Sequence, residues 1–136
     1  MDQEPLVIDE IKAASEFILK LNEVLPINAA FWLKESDDGL WFLHLASDHV
    51  TYGNIGEGYG KVIQVSNDMP ELLLDLLRVK LIPIDDPLAQ AALNIYEHAP
   101  SNRPTRLAGA MFGGTSVDGV YLYPRSIMAP VSSPTS

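Results

Sequence analysis

Hydrophobic residues recur at helical spacing from Val7 to Leu25, which predicts an amphipathic helix. Charged side chains occupy the opposite face of this stretch, and Pro26 ends it. Because such a helix must bury its apolar face, we expect it to cover a sheet.

Two strand-like runs on either side of Asp38 and Gly39 predict a β-hairpin. We expect a three-residue loop with Gly39 in the left-handed conformation, which places Leu33 opposite Leu43. The predicted core face of the hairpin then comprises Phe31, Leu33, Trp41, Leu43 and Leu45. A shift by one residue would turn every side chain to the other face, so the apolar match decides the register.

The middle of the chain is more varied. Residues 69–77 predict one or two helical turns, and residues 78–84 predict a strand. Asp86 followed by Pro87 is typical of a helix start, because the carboxylate caps the helix and proline suits its first position. We expect that helix to run to about His98.

A second hairpin is predicted over residues 106–123, with its turn at 117–119. That register places Gly113 opposite Tyr123, where the tyrosine ring covers the bare glycine backbone. Met111 then shares a face with Tyr121 and Tyr123.

These elements predict an α+β fold. We expect a two-layer sandwich with an antiparallel-rich sheet of about five strands, built around two β-hairpins, with helices mainly on one face. A single domain over residues 1–123 is predicted, followed by a Pro/Ser-rich tail over residues 124–136.

Composition narrows the possible functions. The chain lacks cysteine, which excludes disulfides, thiol catalysis and thiolate metal sites. Its formal net charge of −9 argues against nucleic-acid and membrane partners, since anionic polymers and surfaces attract basic proteins. The acidic first residues differ from a basic signal-peptide start, and apolar runs are shorter than the roughly 20 residues of a membrane span. We therefore expect a cytoplasmic protein.

The glycine-rich segment 53–61 suggests a phosphate-binding loop. A Walker loop, however, has glycine and serine or threonine where this chain has Ile55 and Val62. A flexible connection between hairpin and helix is the favoured interpretation. The alternative is a pocket near this segment, in a small-ligand-binding protein or small enzyme, that holds an anionic group. Its candidate residues are Gly58, Gly60, Lys61, Arg103 and Arg106.

Signals for metal binding and catalysis are weak. His44 and His49 differ in strand parity and point to opposite faces, while His98 lies near a predicted helix end. The neighbouring aspartates at 37–38 and 85–86 serve a turn and a helix cap. We therefore predict no metal site and no cofactor, and favour a non-enzymatic protein.

One predicted surface is unusually aromatic. If the helices cover one sheet face only, aromatic and methionine side chains on the other face form a patch of the kind that marks interfaces. The candidate partner-binding residues are Trp32, Phe42, His44, Met111, Tyr121 and Tyr123. The alternative is that a helix or the tail covers this face and makes it ordinary core.

The chain carries Phe-Trp-Leu at 31–33, Ile-Pro-Ile-Asp-Asp-Pro-Leu at 82–88 and Asp-Gly-Val-Tyr-Leu-Tyr at 118–123. This pattern resembles that of small bacterial α+β proteins of unassigned function. The resemblance spans roughly residues 30–123 and implies a similar fold but no activity. The sequence therefore favours an interaction or accessory module that forms a homo-oligomer or binds a protein partner.

Overall fold

The described residues of the computed structural model, 8–37 and 39–128, form three α-helices and one five-stranded sheet. The helices are α1 (Ile8–Leu21), α2 (Ile55–Asn67) and α3 (Pro87–Tyr96). The strands are β1 (Ala29–Glu35), β2 (Trp41–Ser47), β3 (Val79–Pro83), β4 (Thr105–Phe112) and β5 (Thr115–Leu122). The predicted α+β sandwich with about five strands is confirmed.

The strand order across the sheet is β3-β2-β1-β5-β4. β1 pairs antiparallel with β2 and β5, and β4 pairs antiparallel with β5. β3 runs parallel to β2. The connection between these two strands contains α2, which returns the chain to the end of the sheet where β2 begins. Both hairpins therefore join one mixed sheet, with β3 and β4 at its edges.

Helices cover both faces of this sheet. The larger core cluster joins α1 and α2 to one face, and includes Phe17, Ile18, Trp32, Leu43, Val62 and Tyr123. The second cluster joins α3 to the other face, and includes Phe31, Leu33, Ala89, Tyr96, Phe112 and Leu122. β1 lies in the middle of the sheet and supplies buried side chains to both clusters.

The predicted register of the first hairpin is wrong by one residue. Leu33 lies opposite Phe42, and Trp32 lies opposite Leu43. The apolar match could not fix this register, because both faces of β1 are buried and either alternation places apolar side chains in a core. The left-handed conformation of Gly39 is confirmed, with φ of 66°.

The predicted turn of the second hairpin is also wrong. The chain reverses at Gly113 and Gly114, whose φ angles of 58° and 83° suit a two-residue hairpin turn. Arg106 consequently lies opposite Tyr121, and Gly113 is not opposite Tyr123. Two consecutive glycines tolerate positive φ at both turn positions, which the Val-Asp-Gly sequence at 117–119 does not.

Asp118 and Gly119 lie inside β5 instead. Lys34 of β1 pairs with Gly119, but the next residue, Glu35, pairs with Val117. Asp118 is therefore the extra residue of a β-bulge, and the side-chain alternation of β5 reverses there.

The predicted start of α3 is confirmed. Asp86 caps the helix, accepting a hydrogen bond from the backbone N–H of Leu88 at 2.8 Å, and Pro87 is the first helical residue. The predicted helical turns at 69–77 are largely absent: residues 70–71 form a turn, in which the Leu72 N–H donates to the Met69 carbonyl at 3.0 Å, and a 3₁₀ turn forms at Leu76–Arg78.

The first residues assigned to the tail pack against the domain. A 3₁₀ turn spans Arg125–Ile127, and the side chain of Asn22 donates a hydrogen bond to the carbonyl of Ile127 at 3.0 Å. Residues 129–136 of the predicted tail lie outside the described residues. None of the described helices is both long and apolar enough to cross a membrane.

Candidate functional site

The predicted aromatic patch is divided between the two faces of the sheet and is mostly buried. Trp32, Tyr121 and Tyr123 lie beneath α1 and α2, with exposed fractions of 2%, 8% and 2%. Phe42 and His44 belong to the opposite face, because the observed register pairs them with Leu33 and Phe31. The expected common exposed face is therefore wrong, and the alternative that helices cover it holds for Trp32, Tyr121 and Tyr123.

Hydrogen bonds fix the buried aromatic residues in place. The indole N–H of Trp32 donates to the hydroxyl of Tyr123 at 2.9 Å, and that hydroxyl donates to the carbonyl of Ile11 at 2.7 Å. Burial raises the pKa of Tyr123, so the phenol stays protonated and keeps its proton for donation. These side chains thus attach α1 to the sheet.

His44 is also a core residue. Its ring stacks parallel on Phe31 with centroids 5.2 Å apart, and 2% of the residue is exposed. Burial, reinforced by the charge of Lys80, lowers the pKa of His44 from 6.5 to about 4. The imidazole is therefore neutral at pH 7.

Met111 and Phe42 are the accessible members of the predicted patch. Met111 is 67% exposed on β4, and Phe42 is half-buried on β2. The cations of Lys80 and Arg78 lie 4.5 and 5.6 Å from the centre of the Phe42 ring, so its open side faces positive charge.

The candidate anion-binding residues do not converge. The glycine-rich segment forms most of α2 rather than a loop, and Gly58 faces Leu81 so closely that a Cβ would lie 2.8 Å from Leu81 Cδ1. Gly60 lies on the exposed side of α2, and Lys61 Nζ is 3.4 Å from the carbonyl of Val24. Arg103 is exposed in the loop before β4, while Arg106 lies on β4 itself. Gly58 therefore serves the packing of α2 against β3.

A cavity of about 490 Å³ opens near the start of α2, at the carboxyl ends of the parallel strands β2 and β3. Asp48, Tyr52 and Asp85 are among its lining residues. The hydroxyl of Tyr52 donates to Asp86 at 2.8 Å, and this bond raises the pKa of Tyr52. Asp86 also caps α3. The hydrogen bond between Tyr52 and Asp86 therefore connects the loop before α2 to the start of α3.

The next feature is the placement of histidine and carboxylate side chains among the described residues. Within residues 8–37 and 39–128, no group of three or more potential ligands is placed to hold a metal ion.

A second cavity, of about 330 Å³, lies on the α1 and α2 side of the sheet, where β5 carries its bulge. It is lined by Trp41, Arg106, Leu107, Ala108, Asp118, Gly119, Val120 and Tyr121. The guanidinium carbon of Arg106 lies 4.7 Å from the centre of the Tyr121 ring. Burial raises the pKa of Tyr121, and the charge of Arg106 opposes that shift. This cavity combines aromatic walls with an exposed cation.

The outer edge of β4 is the other open surface. β4 is an eight-residue edge strand with Arg106 as its one charged side chain. Arg106, Ala108, Gly109 and Met111 are exposed. Its backbone pairs with β5 alone among the described strands.

Sequence reasoning missed the accessibility of Trp41 and the role of Gly119. Trp41 lies on a core face, as the sequence predicts, and packs against the larger cluster, but it is only partly buried. Gly119 lies in β5 and not in the predicted turn. The sequence did contain a signal for this: the Gly113-Gly114 pair suits a two-residue hairpin turn better than residues 117–119 do. A turn at Gly113-Gly114 places Gly119 inside the following strand. Comparisons with protein-family models, curated proteins and solved structures found no significant match.

Proposed function

We propose that this chain is a non-enzymatic interaction module that self-associates through the outer edge of β4. The exposed, weakly charged edge strand is the observation that carries the proposal. An edge strand offers unpaired backbone N–H and C=O groups, which a strand of a second molecule can satisfy by hydrogen bonding.

The two edges of the sheet differ in how they oppose such pairing. β3 has five residues, carries the exposed cation of Lys80 and ends at Pro83, which has no N–H to donate. β4 is longer and contains Ala108, Gly109 and Ala110 in sequence, whose small side chains allow close approach. Short strands, lysine and proline protect an edge, so β4 is the less protected of the two.

Gly109 sets the extent of the available edge. Its φ of 58° interrupts the regular strand, which leaves Thr105–Ala108 as the longer regular stretch. A second copy can pair with this stretch antiparallel about a twofold axis, because one strand then meets its own copy. The exposed Met111 supplies apolar area beside the pairing edge.

The proposal keeps an interaction role but moves it away from the buried aromatic residues. Trp32, Tyr121 and Tyr123 then support the interface only indirectly, by fixing the sheet on which β4 lies.

Light scattering coupled to size-exclusion chromatography tests this proposal. The wild type is expected to show twice the chain mass of 14.9 kDa as concentration rises. Met111→Glu places a charge beside the edge and is expected to give a folded monomer. Ile63→Glu makes the same change at a residue 53% exposed on α2, and is expected to leave the dimer intact.

Three outcomes contradict the proposal. The wild type could remain a monomer at every concentration, or Met111→Glu could remain a dimer. Alternatively, Ile63→Glu could dissociate the dimer as fully as Met111→Glu does, which would place the interface elsewhere. Circular dichroism confirms that each variant is folded before its mass is interpreted.

A further inference from the structure

The cavity between β2 and β4 has Gly119 at its base, where a larger residue would displace the Trp41 indole. Trp41 pairs with Lys34, Lys34 pairs with Gly119, and Gly119 pairs with Ala108, so these residues form one row across four strands. The indole of Trp41 extends along this row: a Cβ on Gly119 would lie 2.9 Å from Trp41 Cη2 and 3.4 Å from Cζ2. The bulge in β5 thus places a glycine where the indole needs space.

Arg106 closes the other side of the cavity. Its guanidinium lies over the Tyr121 ring, and it is exposed to solvent. Among the described residues, none of the carboxylates forms an ion pair with this guanidinium. A stacked guanidinium directs its N–H groups outward in its own plane, so they remain available to an incoming anion.

We propose that this cavity binds a small planar monocarboxylate, with the ring against Trp41 and the carboxylate on Arg106. The pairing of guanidinium and carboxylate is bidentate and charge-assisted, which gives both strength and orientation. The volume of about 330 Å³ is at the lower end for small-molecule sites and suits one ring rather than a nucleotide.

Asp118 restricts the ligand to a single negative charge. Asp118 lines the same cavity, and its carboxylate accepts a hydrogen bond from the Ser36 hydroxyl at 3.0 Å. A second carboxylate on the ligand would be repelled there, since like charges at short range raise the free energy of binding. The site shares Arg106, Leu107 and Ala108 with the proposed pairing stretch of β4. It uses side chains on the sheet face, whereas the proposed dimer uses the outer backbone edge, and Met111 is not among its lining residues, so Met111→Glu tests the dimer without changing the cavity lining.

Two-dimensional NMR of the indole N–H groups tests the proposal, because the chain contains only two tryptophans. Benzoate is the probe. Its addition is expected to shift the Trp41 signal in a saturable manner and leave the buried Trp32 signal unchanged. Benzamide has the ring without the charge, acetate has the charge without the ring, and phthalate adds a second carboxylate. Each is expected to bind at least tenfold more weakly than benzoate.

Arg106→Gln is expected to weaken benzoate binding tenfold or more, because the charge-assisted pair is lost. Arg103→Gln removes the same charge three residues away in an exposed loop, and is expected to change the affinity less than about twofold, as surface charges far from a ligand are screened. Arg106→Lys keeps the charge but loses bidentate geometry, so an intermediate affinity is expected. An unchanged Trp32 signal shows that each variant retains its core.

The proposal is overturned if benzoate leaves the Trp41 signal unshifted, or if benzamide binds as tightly as benzoate. It is also overturned if Arg103→Gln weakens binding as much as Arg106→Gln, since attraction would then reflect overall charge. The ligand comparison uses the wild-type protein, so it decides the question even if an Arg106 variant fails to fold.

Discussion

Trp32 and Tyr123 are 91 positions apart in the chain, and their side chains form a buried hydrogen bond of 2.9 Å. Trp32 belongs to the central strand β1, whereas Tyr123 follows β5 and bonds onward to α1 through the carbonyl of Ile11. One hydroxyl therefore connects the central strand to the helix that covers it. The sequence suggests Trp32 and Tyr123 as partner-binding residues. In the structure they are buried and join α1 to the sheet.

Tyr123→Phe is expected to lower the free energy of unfolding by about 1–3 kcal/mol, because the buried Trp32 N–H loses its acceptor. Urea unfolding measures this change. Tyr52→Phe is the matched control, since Tyr52 is 66% exposed and its hydroxyl bond to Asp86 lies at the surface. If Tyr123→Phe is no less stable than Tyr52→Phe, the hydrogen bond does not secure α1.

His44 makes stability depend on pH. Its pKa is lowered to about 4 in the folded protein by burial and by Lys80, against 6.5 when unfolded. As pH falls below 6.5 the unfolded chain binds the proton and the folded chain does not, so this group lowers the free energy of unfolding. The loss is expected to total about 3 kcal/mol by pH 4.

His44→Gln removes that titrating group and leaves the carboxylates unchanged. Its free energy of unfolding, measured by urea titration between pH 6.5 and 4, is expected to fall less steeply than that of the wild type. His98→Gln changes an exposed histidine and is expected to keep the wild-type slope. Equal slopes for wild type and His44→Gln would show that His44 is not buried in its neutral form.

The two turn glycines are expected to respond differently to alanine. A Cβ on Gly113 would lie 2.7 Å from the carbonyl oxygen of Pro87 and 2.9 Å from Leu88 Cα, so α3 would have to move. A Cβ on Gly114 meets nothing within 4 Å, and only its φ of 83° opposes substitution. Gly114→Ala should cost about 1–2 kcal/mol and Gly113→Ala more. Thermal unfolding compares them; an equal or reversed order contradicts this packing.

Local signals in the sequence were sufficient for elements whose chemistry is local. The cap of Asp86 on α3, the left-handed Gly39 and the amphipathic α1 each depend on residues within a few positions. The α+β class followed from the order of these elements.

Features that depend on distant residues could not be predicted in the same way. The register of β1 and β2 failed because α3 covers the face that was expected to be open, so that Phe31 and Trp32 are both buried. Both Gly113-Gly114 and Asp118-Gly119 could form the turn of the second hairpin. The close packing of Gly113 against Pro87 is a tertiary contact that the sequence does not show. The cavity beside Trp41 depends on the bulge in β5, which no local pattern predicted.

The most direct test of self-association through β4 is amide hydrogen exchange of the wild type at low and high protein concentration. Protection of the outward-facing amides within residues 105–108 is expected to increase with concentration, because pairing with a second copy satisfies the open edge there. The amides of residues 79–82 on the opposite edge strand, β3, are expected to exchange at the same rate at both concentrations. Exchange from β4 that is independent of concentration, or protection that rises equally at β3, would contradict the account.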